Sequence, residues 1–162
     1  MGLYSNTRQR AEEFRKEIFL DCPTGTVDDI AGNKGHILAY IATTNTEHYK
    51  HTKMLLDKGY DVLCEKPLTL SPTQSEELFK LAETKGKTLQ ENLWSLFVPS
   101  TKHIEQAAMG CVNATFSFCV EIPYDETSRQ WQPEQGGCVF DLGIYTVAVS
   151  YTHLTLPTIY SV

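Results

Sequence analysis

Three short strand-like runs, at residues 37–42, 61–64 and 88–91, are separated by two helix-patterned stretches, and this alternation constrains the fold more than any other feature. The first run, Ile37-Leu38-Ala39-Tyr40-Ile41-Ala42, is uncharged and reads as a strand buried on both faces, as in a parallel sheet. Thr44, Asn45 or Thr46 caps the helix that follows, which carries Tyr49, Thr52 and Leu56 on one side and stops at Gly59. Ser71-Pro72-Thr73-Gln74 reads as a capping box with proline in the first turn, and Leu78, Leu81 and Ala82 continue that helix to Gly86. Strand and helix at this spacing predict an α/β fold with a doubly wound parallel sheet and right-handed crossovers. Upstream, Asn6 or Thr7 caps a helix with Ala11, Phe14 and Ile18 on one face. The residues before it are too few for an element of their own, and a short helix is expected around 27–31.

The pattern changes after Gly110. Val112, Ala114, Phe116, Phe118, Val120 and Ile122 alternate with Asn113, Thr115, Ser117, Cys119 and Glu121, which predicts an antiparallel strand with one buried face. A second, α+β domain is therefore expected to open near residue 110, with an apolar segment from Cys138 to Val147 after the Gly136-Gly137 turn.

Composition removes several function classes. Lys and Arg number 14 against 20 Asp and Glu, a net charge of −6, which argues against a nucleic-acid partner. No run approaches the roughly 18 apolar residues of a spanning helix, so a soluble protein with no membrane partner is expected. The five cysteines are odd in number and form no Cys-x-x-Cys pair, which points to a reducing, cytoplasmic home. His36, His48, His51, His103 and His153 have no metal-ligand spacing, so no metal is expected, and no Gly-x-Ser-x-Gly elbow is present. Nothing resembling Gly-x-Gly-x-x-Gly precedes Asn6.

Ligands of open α/β sheets sit beyond the carboxyl ends of the strands. Thr43, Thr44, Asn45 and His48 follow the first run, Glu65-Lys66-Pro67 the second, and Asn92 and Trp94 the third. Pro67 restricts Lys66 to extended conformations and aims its ammonium at the crevice. Asp141 and Tyr145 are four apart, on one face of a helix. Each feature also has a bland reading: a solvated turn at Glu65-Lys66-Pro67, a surface His48, and ordinary hydrogen-bonded partners for Asp141 and Tyr145.

Taken together, Ile41-Ala42-Thr43-Thr44-Asn45-Thr46-Glu47-His48, Gly59-Tyr60-Asp61-Val62-Leu63-Cys64-Glu65-Lys66-Pro67 and Gly136-Gly137-Cys138-Val139-Phe140-Asp141-Leu142-Gly143-Ile144-Tyr145 resemble the Gfo/Idh/MocA (glucose-fructose oxidoreductase, inositol dehydrogenase, MocA) family over about residues 3–147. Asp141-Leu142-Gly143-Ile144-Tyr145 resembles the dimeric trans-1,2-dihydrobenzene-1,2-diol dehydrogenase and D-xylose 1-dehydrogenase branch. The resemblance implies an NAD(P)-binding Rossmann domain at residues 1–109, truncated at its N-terminus, and the start of a substrate and dimerisation domain at 110–148. It also implies hydride transfer between NADP or NAD and a diol, aldose or polyol. Lys66 and Tyr145 would be the proton-transfer centre, with Asp141 and His48 as supporting catalytic residues. Thr43, Thr44, Asn45, His48, Glu65 and Lys66 would line the cofactor groove. Ser5, Asn6 and Arg10 would lie at the adenosine ribose, with Arg8 or Arg10 able to meet a 2′-phosphate. Trp94, Trp131, Asp141 and Tyr145 would face the substrate, and a homodimer is implied.

The chemistry is consistent with that assignment. Oxidising an alcohol requires removal of its hydroxyl proton, and a tyrosine of ordinary pKa near ~10 serves as base when a lysine cation stabilises its phenolate. Either Lys66 or Tyr145 can be the immediate base. The sequence departs from the family at Asn6, where NADP-preferring relatives often carry arginine, and at Leu96, where relatives commonly do, and it lacks the family's first strand, Gly-rich turn and first helix. An inactive fragment is therefore expected. Residues 149–162 read like the in-frame translation of a sequencing adapter, a non-native tail that should not continue the Tyr145 helix. The alternative function is a non-catalytic NAD(P)-binding sensor or scaffold on the same fold.

Overall fold

In a computed structural model, which describes residues 1–109, 113, 115–132, 135 and 137–153, the strands fall into two parallel groups. β1 (Leu3–Ser5) pairs with β2 (Thr24–Thr26), Leu3 opposite Thr24 and Ser5 opposite Thr26. The residues before the first helix do form an element, although only three residues long. β3 (Leu38–Ile41), β4 (Asp61–Glu65) and β5 (Leu89–Asn92) make the second sheet in that order, with Leu38 opposite Asp61 and Val62 opposite Leu89.

The helices between the strands start and stop where local chemistry directs. α1 (Arg8–Glu17) is capped by Thr7, whose hydroxyl accepts from the Arg10 N–H at 3.3 Å. A single 3₁₀ turn occupies Val27–Asp29. α2 (Asn45–Asp57) has Thr44 as its N-cap residue and gives way to Gly59, whose φ of +87° lies in the left-handed region. A Cβ built on Gly59 would overlap the Asn33 carbonyl oxygen, so the close approach demands glycine there. α3 (Pro72–Lys85) ends at Gly86, also left-handed. The capping box expected at Ser71 does not form. The Thr69 hydroxyl donates to the Ser71 carbonyl and meets Ser75 Oγ, both at 2.7 Å, and it accepts the Ser71 N–H at 3.2 Å.

α2 and α3 pack on the same side of the second sheet. Ile41, Val62 and Cys64 from the strands meet Leu55, Leu56, Leu78 and Ala82 from the helices, with Leu68, in one buried core. The opposite face of β3 is open, with Leu38 61% and Tyr40 57% exposed, so the expected burial on both faces is not observed. Both crossovers put their helices on one side, and the alternation of the strand leaves its other side chains uncovered.

α4 (Pro99–Ala108) begins with proline in its first turn, as the preference for proline there explains. The antiparallel strand expected over residues 112–122 is not formed: residues 115–122 carry no regular structure and pair with no strand among the described residues, while Val112 and Ala114 lie outside them. Alternation alone does not make a strand, because each needs a neighbour to complete its hydrogen-bond ladder. A π-helical turn, Val139–Gly143, leads into α5 (Ile144–His153). α5 therefore runs beyond Val149, where an end to the helix was expected. Residues 154–162 lie outside the described residues.

Candidate active site

The carboxyl ends of β3, β4 and β5 come together as parallel register requires, and the polar residues after each strand cluster there. Glu65, the last residue of β4, accepts from Asn92 Nδ2 at 2.8 Å, from the Tyr40 hydroxyl and from the Lys66 N–H at 3.4 Å. Burial pushes its carboxyl up, but the bonds from Tyr40 and Asn92, with Lys66, outweigh it and hold the group below its ordinary value. The same bond to the carboxylate, reinforced by burial, pushes the Tyr40 phenol up.

Lys66 sits in the middle of the cluster, with a cis peptide bond to Pro67. Its Nζ donates to the Asp141 carbonyl at 2.5 Å and to Asp141 Oδ1 at 2.7 Å. The two side chains are only 13% and 23% exposed, so water screens the pair little. Lys66 Nζ also lies 4.9 Å from the centroid of the Tyr145 ring, a cation–π contact through the ring face. The Tyr145 hydroxyl accepts from Trp94 Nε1 at 3.1 Å, and its ring packs at 4.9 Å on Phe118. The π-helical turn and the start of α5 place Asp141 and Tyr145 on one side, as their spacing predicts.

His48 is part of this assembly from behind. It is 1% exposed, with Nδ1 2.7 Å from the Pro67 carbonyl and Nε2 3.1 Å from the Thr43 carbonyl, so it ties the Lys66–Pro67 turn to the loop after β3. Thr43 Oγ1 lies 3.1 Å from His51 Nδ1, Thr44 Oγ1 is 3.4 Å from Thr46 Oγ1, and Asn45 Nδ2 donates to the Gln135 carbonyl at 2.8 Å. Ser5, Asn6 and Arg10 stand apart, at the end of β1 and the start of α1. The neighbouring Arg8 pairs with Asp29 at 3.3 Å.

Trp131 donates to the Pro123 carbonyl at 3.3 Å and meets Tyr124 edge-on. It shares a cavity of about 140 Å³ with Asp141, Leu142, Val120 and Ile122. Leu96 lines a second hollow, of about 420 Å³, with the apolar Phe97, Ile144 and Val147 and the polar Gln90 and Glu91. Sequence reasoning missed Tyr40, Phe118 and His51. Tyr40 was readable only as one more apolar position in an uncharged run, and Phe118 only as one step of an alternation.

The polar strand ends suit the ribose and nicotinamide portion of a dinucleotide, with Thr43 and Glu65 as hydrogen-bonding groups and Lys66 as a cation. The pyrophosphate is different, because no Gly-x-Gly-x-x-Gly occurs anywhere in these 162 residues to bring backbone N–H groups close to it.

Residues 1–93 match the Gfo/Idh/MocA oxidoreductase family with an NAD-binding Rossmann fold, and the chain belongs to that family. It is 29% identical to a D-xylose 1-dehydrogenase (NADP(+)) from Hypocrea jecorina, over 87% of this chain and 40% of the relative. It is 30% identical to a trans-1,2-dihydrobenzene-1,2-diol dehydrogenase from Mus musculus, over 85% of this chain and 43% of the relative. The chain thus spans well under half the length of these two relatives. A 3-ketoreductase from Actinomadura kijaniata, solved with NADP and TDP-benzene, has the same fold, with a TM-score of 0.78 over 95% of this chain and 49% of its own at 24% identity.

Proposed function

We propose that the protein carrying this chain is an NAD(P)-dependent dehydrogenase that oxidises a diol, aldose or polyol at a CH–OH group. The observation that supports it is the Lys66 ammonium, held by Asp141 over the ring of Tyr145 at the carboxyl end of β4. NADP or NAD, when bound, accepts the hydride; the chain's residues handle the proton. Asp141 anchors the Lys66 ammonium beside the substrate position, and a cation there stabilises the alkoxide or phenolate that develops as the hydroxyl proton leaves. Lys66 must shift from the Tyr145 ring face toward the hydroxyl to act on the phenolic oxygen. His48 positions Lys66 by holding the Pro67 carbonyl, and Trp94 orients the Tyr145 hydroxyl.

Thr43, Thr44, Asn45 and Glu65 belong to the cofactor side of this reading, Ser5, Asn6 and Arg10 to its adenosine end, and Trp94 and Trp131 to the substrate side. A homodimer and a cytoplasmic location are part of the same proposal, as is a domain boundary near residue 110. The missing Gly-rich turn adds that these 162 residues alone bind NADPH weakly and do not turn over. NADP reduction followed at its absorbance, with D-xylose and a cyclic diol as substrates, tests the whole protein. Turnover with either supports the reading, and cofactor binding without turnover of any polyol would favour a sensor. Titration of the 162-residue chain with NADPH tests the second point, and tight stoichiometric binding would overturn it.

A further inference from the structure

Behind the loop that follows β3 lies a buried imidazole that the chemistry above does not use. His51, on the second turn of α2, is 5% exposed. Its Nδ1 lies 3.1 Å from Thr43 Oγ1, and its Nε2 lies 3.5 Å from Glu47 Oε2, one helical turn earlier. A neutral imidazole carries one proton, and the two possible placements differ sharply in energy here. With the proton on Nδ1, the bare lone pair of Nε2 would face a carboxylate. With the proton on Nε2, the ring meets the carboxylate with its positive edge, and the lone pair of Nδ1 is free to accept from the Thr43 hydroxyl.

We propose that Glu47, His51 and Thr43 form a relay that fixes the direction of one hydroxyl proton. Glu47 selects the Nε2–H form of His51, His51 takes the Thr43 proton into a hydrogen bond, and Thr43 Oγ1 is left with lone pairs only. Thr43 then meets a ligand at the strand ends as an acceptor. The group it suits is a hydrogen-bond donor, such as a sugar hydroxyl or an amide N–H, and it repels a carbonyl or phosphate oxygen. His51 and Glu47 act through Thr43 and are positioning residues. The identity of the ligand as a dinucleotide rests on the function proposed above, whereas the direction of the proton does not.

The relay has a second state. Once His51 is protonated, both ring nitrogens donate, Thr43 must accept from Nδ1–H, and its own proton turns outward, so the acceptor becomes a donor. The groups that face the ring are Glu47, Lys50 and His48 of α2 and Asp28 of the Val27–Asp29 turn. Burial is the largest influence and outweighs the attraction of Glu47, holding the ring neutral below the ordinary histidine range. The acceptor state is therefore the one present at neutral pH.

Long-range ¹⁵N–¹H correlation spectra of the 162-residue chain read the tautomer directly, with no ligand added. At neutral pH the expected His51 signals are a protonated Nε2 and an unprotonated Nδ1. A proton on Nδ1 would overturn the relay. Glu47→Ala is expected to shift population toward the Nδ1–H form, and Thr43→Ser, which keeps the hydroxyl, to leave the wild-type pattern in place. An unchanged tautomer in Glu47→Ala would remove Glu47 from the relay and overturn it in this form. NADPH titration of the whole protein bears on the dinucleotide reading alone. Failure of the whole protein to bind NADPH, with the Nε2–H form intact, would count against that reading and leave the relay standing.

Discussion

Lys66 and Asp141 are 75 residues apart in the chain, yet Lys66 Nζ donates to both the carboxylate and the backbone carbonyl of Asp141. The two hydrogen bonds tie the ammonium to the π-helical turn that leads into α5. Replacing Lys66 by methionine keeps an unbranched side chain one atom shorter and removes the charge. In the whole protein Lys66→Met is expected to lower kcat by about 10²-fold or more, with the circular dichroism spectrum unchanged. Near-normal turnover would remove Lys66 from the chemistry.

Gly59 closes α2 in the left-handed region with the Asn33 carbonyl oxygen against it. Gly59→Ala adds a methyl group where there is no room, in a conformation that alanine resists. The expected loss of stability exceeds the ~1 kcal/mol typical of glycine's conformational advantage alone, measured by urea denaturation. Gly86→Ala is the control. Nothing lies within 4 Å of its added Cβ, so it should show the conformational penalty without the overlap.

His51 is buried in its neutral form, with a folded pKa below the ordinary 6.5 because burial opposes its charge. The unfolded chain then binds the proton more readily than the folded one. This contribution to stability is fully present above the unfolded value, and it is lost as pH falls through that value toward the lower folded one. Thermal melts of the wild type should fall in this window, and those of His51→Gln should fall less. Equal slopes in the two proteins would show that His51 is not held neutral.

Cys64 is buried in the core and its thiol is pushed up to about 12, chiefly by burial, whereas Cys119 and Cys138 are exposed. The thiolate is the reactive form. Iodoacetamide at mildly alkaline pH is expected to label Cys119 and Cys138 first and Cys64 only after denaturant is added, as mass spectrometry of the peptides would show. Labelling of Cys64 in the native chain at a comparable rate would mean that the core around β4 opens readily.

The βαβ alternation was legible because buried strands and capped helices leave local marks. Gly59 and Gly86 stop their helices where the sequence places the stops, and the Glu65-Lys66-Pro67 turn lies at a strand end as expected. The features that were not legible depend on neighbours distant in the chain. β1 is three residues long, below any periodicity, and exists because Thr24–Thr26 pairs with it. The open face of β3 follows from both crossover helices lying on one side, which the run around Leu38 and Tyr40 does not encode. At residues 115–122 the alternation is plain but no paired strand is described. His48 looks like a surface residue in the first turn of a helix, and only the carbonyls of Thr43 and Pro67 give it a buried place.

β4 pairs along both of its edges, with β3 on one side and β5 on the other, whereas among the described residues β3 and β5 each have one ladder. Freeing all three amide protons of Val62, Leu63 and Cys64 requires both ladders to part, because successive amides of a central strand donate to opposite neighbours. Fraying at one outer strand frees only the amides that face it, such as the Val62 N–H, which donates to the Thr88 carbonyl at 2.8 Å beside β5. Complete deuterium uptake along β4 therefore times the parting of both ladders, and with it the loss of the platform to which the turn carrying Lys66 is joined.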